Sequence, residues 1–165
     1  MKIVSVVGNP RTASRTLEVA AALGDRLAEL LQGSAASIDL AAHAVDVVQG
    51  SDVAQALVAD VADADVVIAC SPTYKATYTG LLKCFWDLFP HQGLAGRVAV
   101  PVMTGGSADH ALAGEVHLRP LLVELGASVP TRALYLTMDR MPELDAVLDE
   151  WVGANGEVLR RQLAG

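Results

Sequence analysis

Short apolar runs alternate with helix-period segments along the whole chain. Lys2–Val7 is almost wholly apolar and reads as a first strand. Behind it, Ala20, Leu23, Leu27, Leu30 and Leu31 recur at the spacing of one helical face, and Gly33 stands where a helix stop is expected. Ser37–Leu40 reads as a weak second strand, and Asp52 with Gln55 has the spacing of a capping box that opens a helix through Val61. Asp65–Cys70 is a nearly continuous apolar run, as a central strand covered on both faces requires. A helix follows over Thr79–Leu88 and ends before Pro90. Arg97–Met103 is the fourth strand, in which Pro101 cannot donate to a ladder and so predicts a bulge or an unpaired position. A helix over Ala108–Leu125 closes at Gly126, and Arg132–Leu136 forms the fifth strand, with Ser128 and Val129 as candidates to extend it. Met141–Pro142 opens a last helix with Leu144, Val147, Leu148, Trp151 and Val152 facing inward, its middle weakened by Gly153 and Gly156.

Strands separated by helices from end to end predict an α/β fold: a five-stranded parallel sheet with helices on both faces. Doubly wound sheets of this size commonly take the order 2-1-3-4-5 and bind ligands beyond the carboxyl ends of the strands, near the switch point between strands one and three. The loops after strands one, three and four are therefore the ones to inspect. At 165 residues, with no repeat, low-complexity tract or linker, the expectation is a single domain over residues 1–165.

Composition sharpens this picture. Hydrophobic residues make up 52% of the chain but aromatics only 4%, so the core must be built from Ala, Val and Leu. The net charge of −7 argues against a nucleic-acid or anionic-membrane partner, and it means that an anionic ligand must be met by locally clustered arginine. Cys70 and Cys84 are too far apart for a Cys-x-x-Cys motif and read as small buried hydrophobes. His110 and His117 have no acidic or cysteine cluster to complete a metal shell, so no metal site is expected. No secretory pattern opens the chain and no apolar run approaches 18 residues, which makes a cytoplasmic protein the expectation.

The first loop carries the strongest chemistry. Gly8-Asn9-Pro10-Arg11-Thr12-Ala13-Ser14-Arg15-Thr16 joins a strand to a helix start, where unpaired N–H groups and the helix dipole favour an anion. Arg11, Ser14, Arg15 and Thr16 add side-chain donors suited to a phosphate. The plainer alternative is a turn with Ser14 as helix cap. Neither Gly-x-Gly-x-x-Gly nor a Gly-Lys phosphate loop is present, so a terminal phosphate, as in a mononucleotide, fits better than a pyrophosphate. After strand three, Pro72, Thr73, Tyr74 and Lys75 offer a stiffened loop with a flat aromatic wall. After strand four, Thr104, Gly105 and Gly106 allow backbone N–H groups to approach a planar polar edge without an intervening side chain. Gly105-Gly106-Ser107-Ala108-Asp109 narrowly misses the hydrolase nucleophile elbow, lacking its second glycine.

Gly8-Asn9-Pro10-Arg11 with Ser14-Arg15-Thr16, then Ser71-Pro72-Thr73-Tyr74-Lys75-Ala76 with Tyr78-Thr79-Gly80-Leu81-Leu82-Lys83, then Thr104-Gly105-Gly106-Ser107 with His110, and Leu118-Arg119-Pro120-Leu121-Leu122 beyond, together resemble the NAD(P)H-dependent FMN reductases of the flavodoxin-like class. The similarity runs to about Ala127 and is strongest toward the reductases of two-component alkanesulfonate monooxygenase systems. It implies that Arg11, Ser14, Arg15 and Thr16 hold the FMN phosphate, that Pro72, Thr73, Tyr74 and Lys75 line one edge of the isoalloxazine, and that Thr104, Gly105 and Gly106 contact its other polar portions. NADPH or NADH would then pass hydride to FMN, with no acid–base side chain required. It further implies a homodimer or homotetramer and a flavin-dependent monooxygenase as recipient of reduced flavin. The same site in related enzymes serves quinone, azo-dye or metal-ion reduction with FMN retained. A flavodoxin-like electron carrier fits less well, because its phosphate loop lacks arginine. In the alkanesulfonate branch an inserted aromatic residue makes a π-helical bulge at the subunit interface; Val116, next to His117, occupies that place here. The apolar stretch around Leu82, Phe85, Trp86 and Phe89 is the candidate interface, its alternative being burial in the core.

Overall fold

The computed structural model describes residues 1–164. Strands β1 (Lys2–Val7), β2 (Ser34–Asp39), β3 (Val66–Pro72), β4 (Val98–Gly105) and β5 (Leu134–Thr137) form one parallel sheet in the order β2-β1-β3-β4-β5. Helices α1 (Arg15–Leu31) and α6 (Leu144–Leu163) cover one face; α2 (Ala44–Gln49), α3 (Asp52–Ala62), α4 (Gly80–Trp86) and α5 (Arg119–Glu124) cover the other. This is the flavodoxin-like arrangement that the alternation of elements predicts.

Strand side chains alternate faces, so each central strand feeds both cores. Ile3, Ile68, Val100 and Val102 meet Val19, Leu23 and Leu27 of α1 and Leu148 and Leu159 of α6. Val4, Val67, Ala99 and Met103 meet Val58 and Val61 of α3, Phe85 of α4 and Leu122 of α5. Every residue of β3 and β4 is buried, which explains their unbroken apolar sequences. The edge strand β2 is mostly exposed and correspondingly weak in the sequence; it begins at Ser34, paired with Lys2, and Leu40 falls in the 3₁₀ turn beyond it.

Pro101 sits within β4 without a bulge. Successive N–H groups alternate sides, and because Ala99 N donates to Ser128 O at 2.8 Å, position 101 also faces the β5 side. Pairing there begins only at Val102↔Leu134, so the missing donor falls in a gap between the isolated Val98↔Ser128 bridge and β5 proper.

Three expectations change in detail. Ser51, not Asp52, caps α3, its Oγ accepting from Ala54 N at 3.4 Å. Gly156 has a packing role in α6: lacking a side chain, it lets the helix lie directly against Leu30 of α1. The aromatics of α4 and the turn after it form no surface patch. Leu82 and Phe85 are fully buried, Trp86 is 1% exposed and Phe89 8%, and the rings of Phe85 pack edge-on against Trp86 and Phe89 at 5.3 and 5.6 Å. Burial in the core accounts for their apolar spacing.

The expected helix over Ala108–Leu125 is not uniform. It opens as a 3₁₀ turn at Ala108–His110, passes through a π-helical segment at Gly114–Leu118, and becomes α-helical only in α5. A π-helical segment therefore forms with Val116 where the resembling enzymes have an aromatic residue.

Candidate functional site

At the carboxyl end of the sheet the loops after β1, β3 and β4 enclose a cleft of about 450 Å³. Each wall has a local cause. Gly8 N donates to Cys70 O at 2.8 Å, and a side chain at Gly8 would overlap Leu82 of α4, so β1 can leave the sheet only with a glycine here. Asn9 Oδ1 then accepts from Arg11 N at 3.0 Å, an Asx turn that reverses the chain. Ala13 takes a left-handed φ of 50°, and Ser14 caps α1 by accepting from Leu17 N at 3.2 Å. The loop thus wraps the N-terminus of a 17-residue helix.

The cleft is lined by Arg11, Ser14, Arg15 and Thr16 from this loop, together with Asn9, Thr12 and Ala13. Neither Arg11 nor Arg15 forms an ion pair among the described residues, and no Asp or Glu lines the cleft. In a chain of net charge −7, two uncompensated guanidinium groups at a helix N-terminus make a localised anion site. Thr16 differs from its neighbours in being only 2% exposed, its hydroxyl bonded to Asn9 Nδ2 at 3.1 Å and Thr104 Oγ1 at 3.0 Å.

The second wall is braced from beneath. Ser71 Oγ accepts from Thr79 N at 3.0 Å, and Thr79 in turn caps α4 and donates to Gly8 O, which ties the loop after β3 to the end of β1. Pro72, Thr73 and Tyr74 line the cleft. Tyr74 and Thr77 form an antiparallel bridge around a two-residue turn, with Lys75 and Ala76 both left-handed at φ 52° and 67°. Two non-glycine residues in that region store strain, and what it secures is the half-exposed Tyr74 ring at the cleft wall. Lys75 projects from the tip of this turn and does not line the cleft.

The third wall is Thr104, Gly105 and Gly106. A side chain at Gly105 would overlap the Tyr135 hydroxyl of β5, which donates to Ser107 O at 3.0 Å and props the loop. Met138, just after β5, completes the lining. Sequence reasoning missed it: an isolated methionine after the fifth strand carries no polar signal, and only the expected strand order places that turn at the same edge.

One feature of the cleft asks for a ligand. Thr73 Oγ1 is buried and has no hydrogen-bond partner, although Thr73 N donates to Thr104 O at 2.6 Å. An unpartnered buried hydroxyl on the wall after β3, in the same cleft as the arginine loop, fits a molecule with a phosphate at one end and a planar polar body at the other. Burial raises the Cys70 thiol pKa well above its ordinary value, as the reading of this cysteine as a small buried hydrophobe requires. No group of three or more His, Cys, Asp or Glu residues with metal-binding geometry occurs among the described residues.

Sheet order, switch-point cleft and arginine-bearing helix N-terminus define a flavodoxin-like nucleotide-binding protein. The comparisons with known proteins narrow that class. The model of the family described as NADPH-dependent FMN reductase matches residues 1–140, and the chain belongs to that family, whose members are oxidoreductases working with FMN and reduced nicotinamide nucleotides. The NADH-dependent FMN reductase SfnF of Pseudomonas putida is 33% identical over 146 residues, covering 84% of this chain and 78% of that protein. The FMN reductase (NADPH) of Escherichia coli K12 is 33% identical over 77% of this chain and 68% of its own. A further FMN reductase (NADPH) from Pseudomonas putida KT2440 is 40% identical over a shorter stretch of 75 residues, 46% of this chain and 38% of that protein. Among solved structures, the apo form of NADH:FMN oxidoreductase (EMOB) superposes with a TM-score of 0.80 at 28% identity, over 91% of this chain and 87% of the other.

Proposed function

We propose that the chain, working as one domain over residues 1–165, reduces FMN with NADPH or NADH at this cleft. The observation that carries the reading is the carboxylate-free cleft itself, lined by two arginines at the α1 N-terminus that form no ion pair among the described residues, by Thr73 with its unpartnered hydroxyl and by the glycines after β4. Arg11, Ser14, Arg15 and Thr16 hold the phosphate end; Arg11 and Arg15 supply the charge, Ser14 the helix cap, and Thr16 acts through its bonds to Asn9 and Thr104. Pro72, Thr73 and Tyr74 line one side of the flavin ring, with Lys75 outside them on the solvent-facing turn, while Thr104, Gly105 and Gly106 present backbone and hydroxyl groups to its polar atoms. The chemistry supplied there is hydride transfer from reduced nicotinamide to the isoalloxazine, and the protein's part is to bind, orient and shield. In this reading no side chain needs to exchange a proton.

Reduced flavin would pass to a partner monooxygenase, the role to which the resemblance to alkanesulfonate-system reductases points. No helix among the described residues is long and apolar enough to cross a membrane, and we place the enzyme in the cytoplasm. We assign it a homodimer or homotetramer. With the α4 aromatics buried, the surface that supports association is the run of exposed Leu112, Val116 and Val123 along the π-helical segment and α5. In size-exclusion chromatography with light scattering, Val116→Glu should shift the mass toward monomer while remaining folded; a folded variant with unchanged mass rules this face out.

The function is tested by following NADPH and NADH oxidation at 340 nm while free FMN is titrated. A saturable rate that requires added FMN is expected. In Arg11→Ala and Arg15→Ala the half-saturating FMN concentration should rise about tenfold or more, with riboflavin hardly affected, since each loses a charge-assisted phosphate contact. A yellow protein that oxidises NADPH only when quinone or azo dye is supplied would instead identify an enzyme that retains FMN.

A further inference from the structure

A chain of hydrogen bonds runs beneath the cleft floor, from Asn9 through Thr16 to Thr104, in residues 8%, 2% and 2% exposed. Its direction can be read from its first link. Arg11 N donates to Asn9 Oδ1 at 3.0 Å, which fixes the oxygen end of the amide. Asn9 Nδ2 therefore donates to Thr16 Oγ1 at 3.1 Å. Thr16 Oγ1 makes one other hydrogen bond among the described residues, to Thr104 Oγ1 at 3.0 Å, in which either oxygen can donate; donation by Thr16 gives its hydroxyl one incoming and one outgoing bond. In that sense Thr104 Oγ1 accepts, and the Thr104 proton is left without an acceptor among the described residues. Thr104 lines the cleft, and that proton faces whatever occupies it.

We propose that Asn9 is a positioning residue: acting through Thr16, it sets the Thr104 hydroxyl as a hydrogen-bond donor to an acceptor atom of the bound flavin, a ring carbonyl or nitrogen or a ribityl oxygen. The proposal rests on the flavin site described above and extends it to a residue whose effect on the ligand is carried through Thr16 and Thr104. It also gives the relay a consequence for specificity, because a site whose floor donates favours ligands that accept there. Asn9 has a second duty in the Arg11 turn, and the two can be separated. Asn9→Asp is isosteric and still accepts from Arg11 N but cannot donate to Thr16. Thr16 then donates to the new carboxylate, Thr104 donates to Thr16, and the cleft is offered lone pairs where it had a proton.

The experiment titrates FMN and riboflavin separately, by quenching of flavin fluorescence, against wild type, Asn9→Asp, Thr104→Val and the double variant, with apoprotein melting followed by circular dichroism. Riboflavin, which lacks the phosphate, is the decisive probe because the new carboxylate does not repel it. Asn9→Asp and Thr104→Val should each weaken riboflavin binding roughly three- to tenfold, the range of one neutral hydrogen bond, and the double variant should bind no more weakly than Thr104→Val alone. Should Asn9→Asp fail to fold, Thr16→Val removes the middle link, and its effect on riboflavin should likewise vanish in the Thr104→Val background. Additive losses would overturn the relay, as would a loss confined to FMN, which would place Asn9's effect in the phosphate turn. Wild-type protein that binds neither flavin would overturn the site itself and the relay with it.

Discussion

Two helical segments leave the cleft, one after β1 and one after β4, and they are built on opposite principles. Helix α1 starts at a serine cap and runs 17 residues without interruption, burying Thr16, Val19, Ala20, Leu23, Gly24 and Leu27 as one stripe against the sheet. The segment after β4 also starts at a serine, yet passes through 3₁₀, π and α geometry within residues 108–124. The difference lies in what each must touch. α1 answers only to the sheet and to α6. The second segment is also pinned sideways to the irregular stretch before β5. Gly114 lies so close to Ala133 that a Cβ would sit 2.6 Å from the alanine methyl. Glu115 accepts from Ala133 N at 2.7 Å and pairs with Arg119 at 2.6 Å, and Arg119 donates to Val129 O and Thr131 O. These bonds satisfy backbone groups in the gap where β5 has not yet begun to pair. The π-helical turn is the means by which one helix meets both the sheet and that gap.

The contrast can be broken most forcefully in α1. Leu23→Ala empties a fully buried position between helix and sheet and should cost about 2–5 kcal/mol, the range for leucine truncation in a core. Urea unfolding should show a lower midpoint with unchanged slope. Gly114→Val attacks the other segment, where the new side chain must displace Ala133. We expect a loss of about 1–3 kcal/mol from overpacking, with the shift in amide signals confined to residues 112–134. Equal damage spread across the sheet would show that the close approach at Gly114 is not what separates the two helices.

The same contrast explains what can be read from sequence. β3 and β4 are legible because both faces are covered and their runs Val66–Cys70 and Val98–Met103 hold no polar residue. Arg11, Ser14 and Arg15 stand out because arginine and hydroxyls crowd a turn before a helix, a local pattern. What escapes local reading depends on distant partners. The Thr16–Thr104 bond spans 88 positions, so no local pattern shows that the Thr16 hydroxyl is tied to the loop after β4. Trp86 and Phe89 obey a helical period that core and interface share equally. Residues 108–125 carry an acceptable helical pattern, and only Ala133 and Thr131 reveal why the helix departs from it.

Acid should act on the two segments unequally. The Arg119 guanidinium, aided by the Ala133 N–H and opposed by partial burial, holds the Glu115 carboxyl below its ordinary value. A group depressed in the folded state stabilises fully above its unfolded pKa, here near 4.5, and the contribution disappears as pH falls through the lowered folded value. Glu115→Gln should therefore lower stability at neutral pH by about 1.5–3 kcal/mol, the range for hydrogen bonds to a charged partner. It should also flatten the fall in stability below pH 4.5 relative to wild type. Unfolding midpoints measured from pH 7 to pH 3 decide it; parallel curves for the two proteins would show that Glu115 titrates as an exposed carboxylate.

The smallest effects come from the two caps, and there the comparison is sharpest. Ser14 Oγ accepts from Leu17 N at 3.2 Å and anchors a long helix, so Ser14→Ala should cost about 1 kcal/mol. Ser107 Oγ reaches Asp109 N only at 3.4 Å and donates to the Asp109 carboxylate at 3.0 Å, capping a three-residue 3₁₀ turn. The contact that holds its loop is the Ser107 carbonyl, which accepts from the Tyr135 hydroxyl at 3.0 Å and survives any side-chain change. Ser107→Ala should thus cost no more than a few tenths of a kcal/mol, the scale of a surface substitution away from such features. Tyr135→Phe, which removes that donor, should weaken flavin binding more than Ser107→Ala does. If instead both serines prove equally costly in thermal unfolding, the segment after β4 is anchored at its cap like α1, and its side contacts to the β5 stretch are secondary.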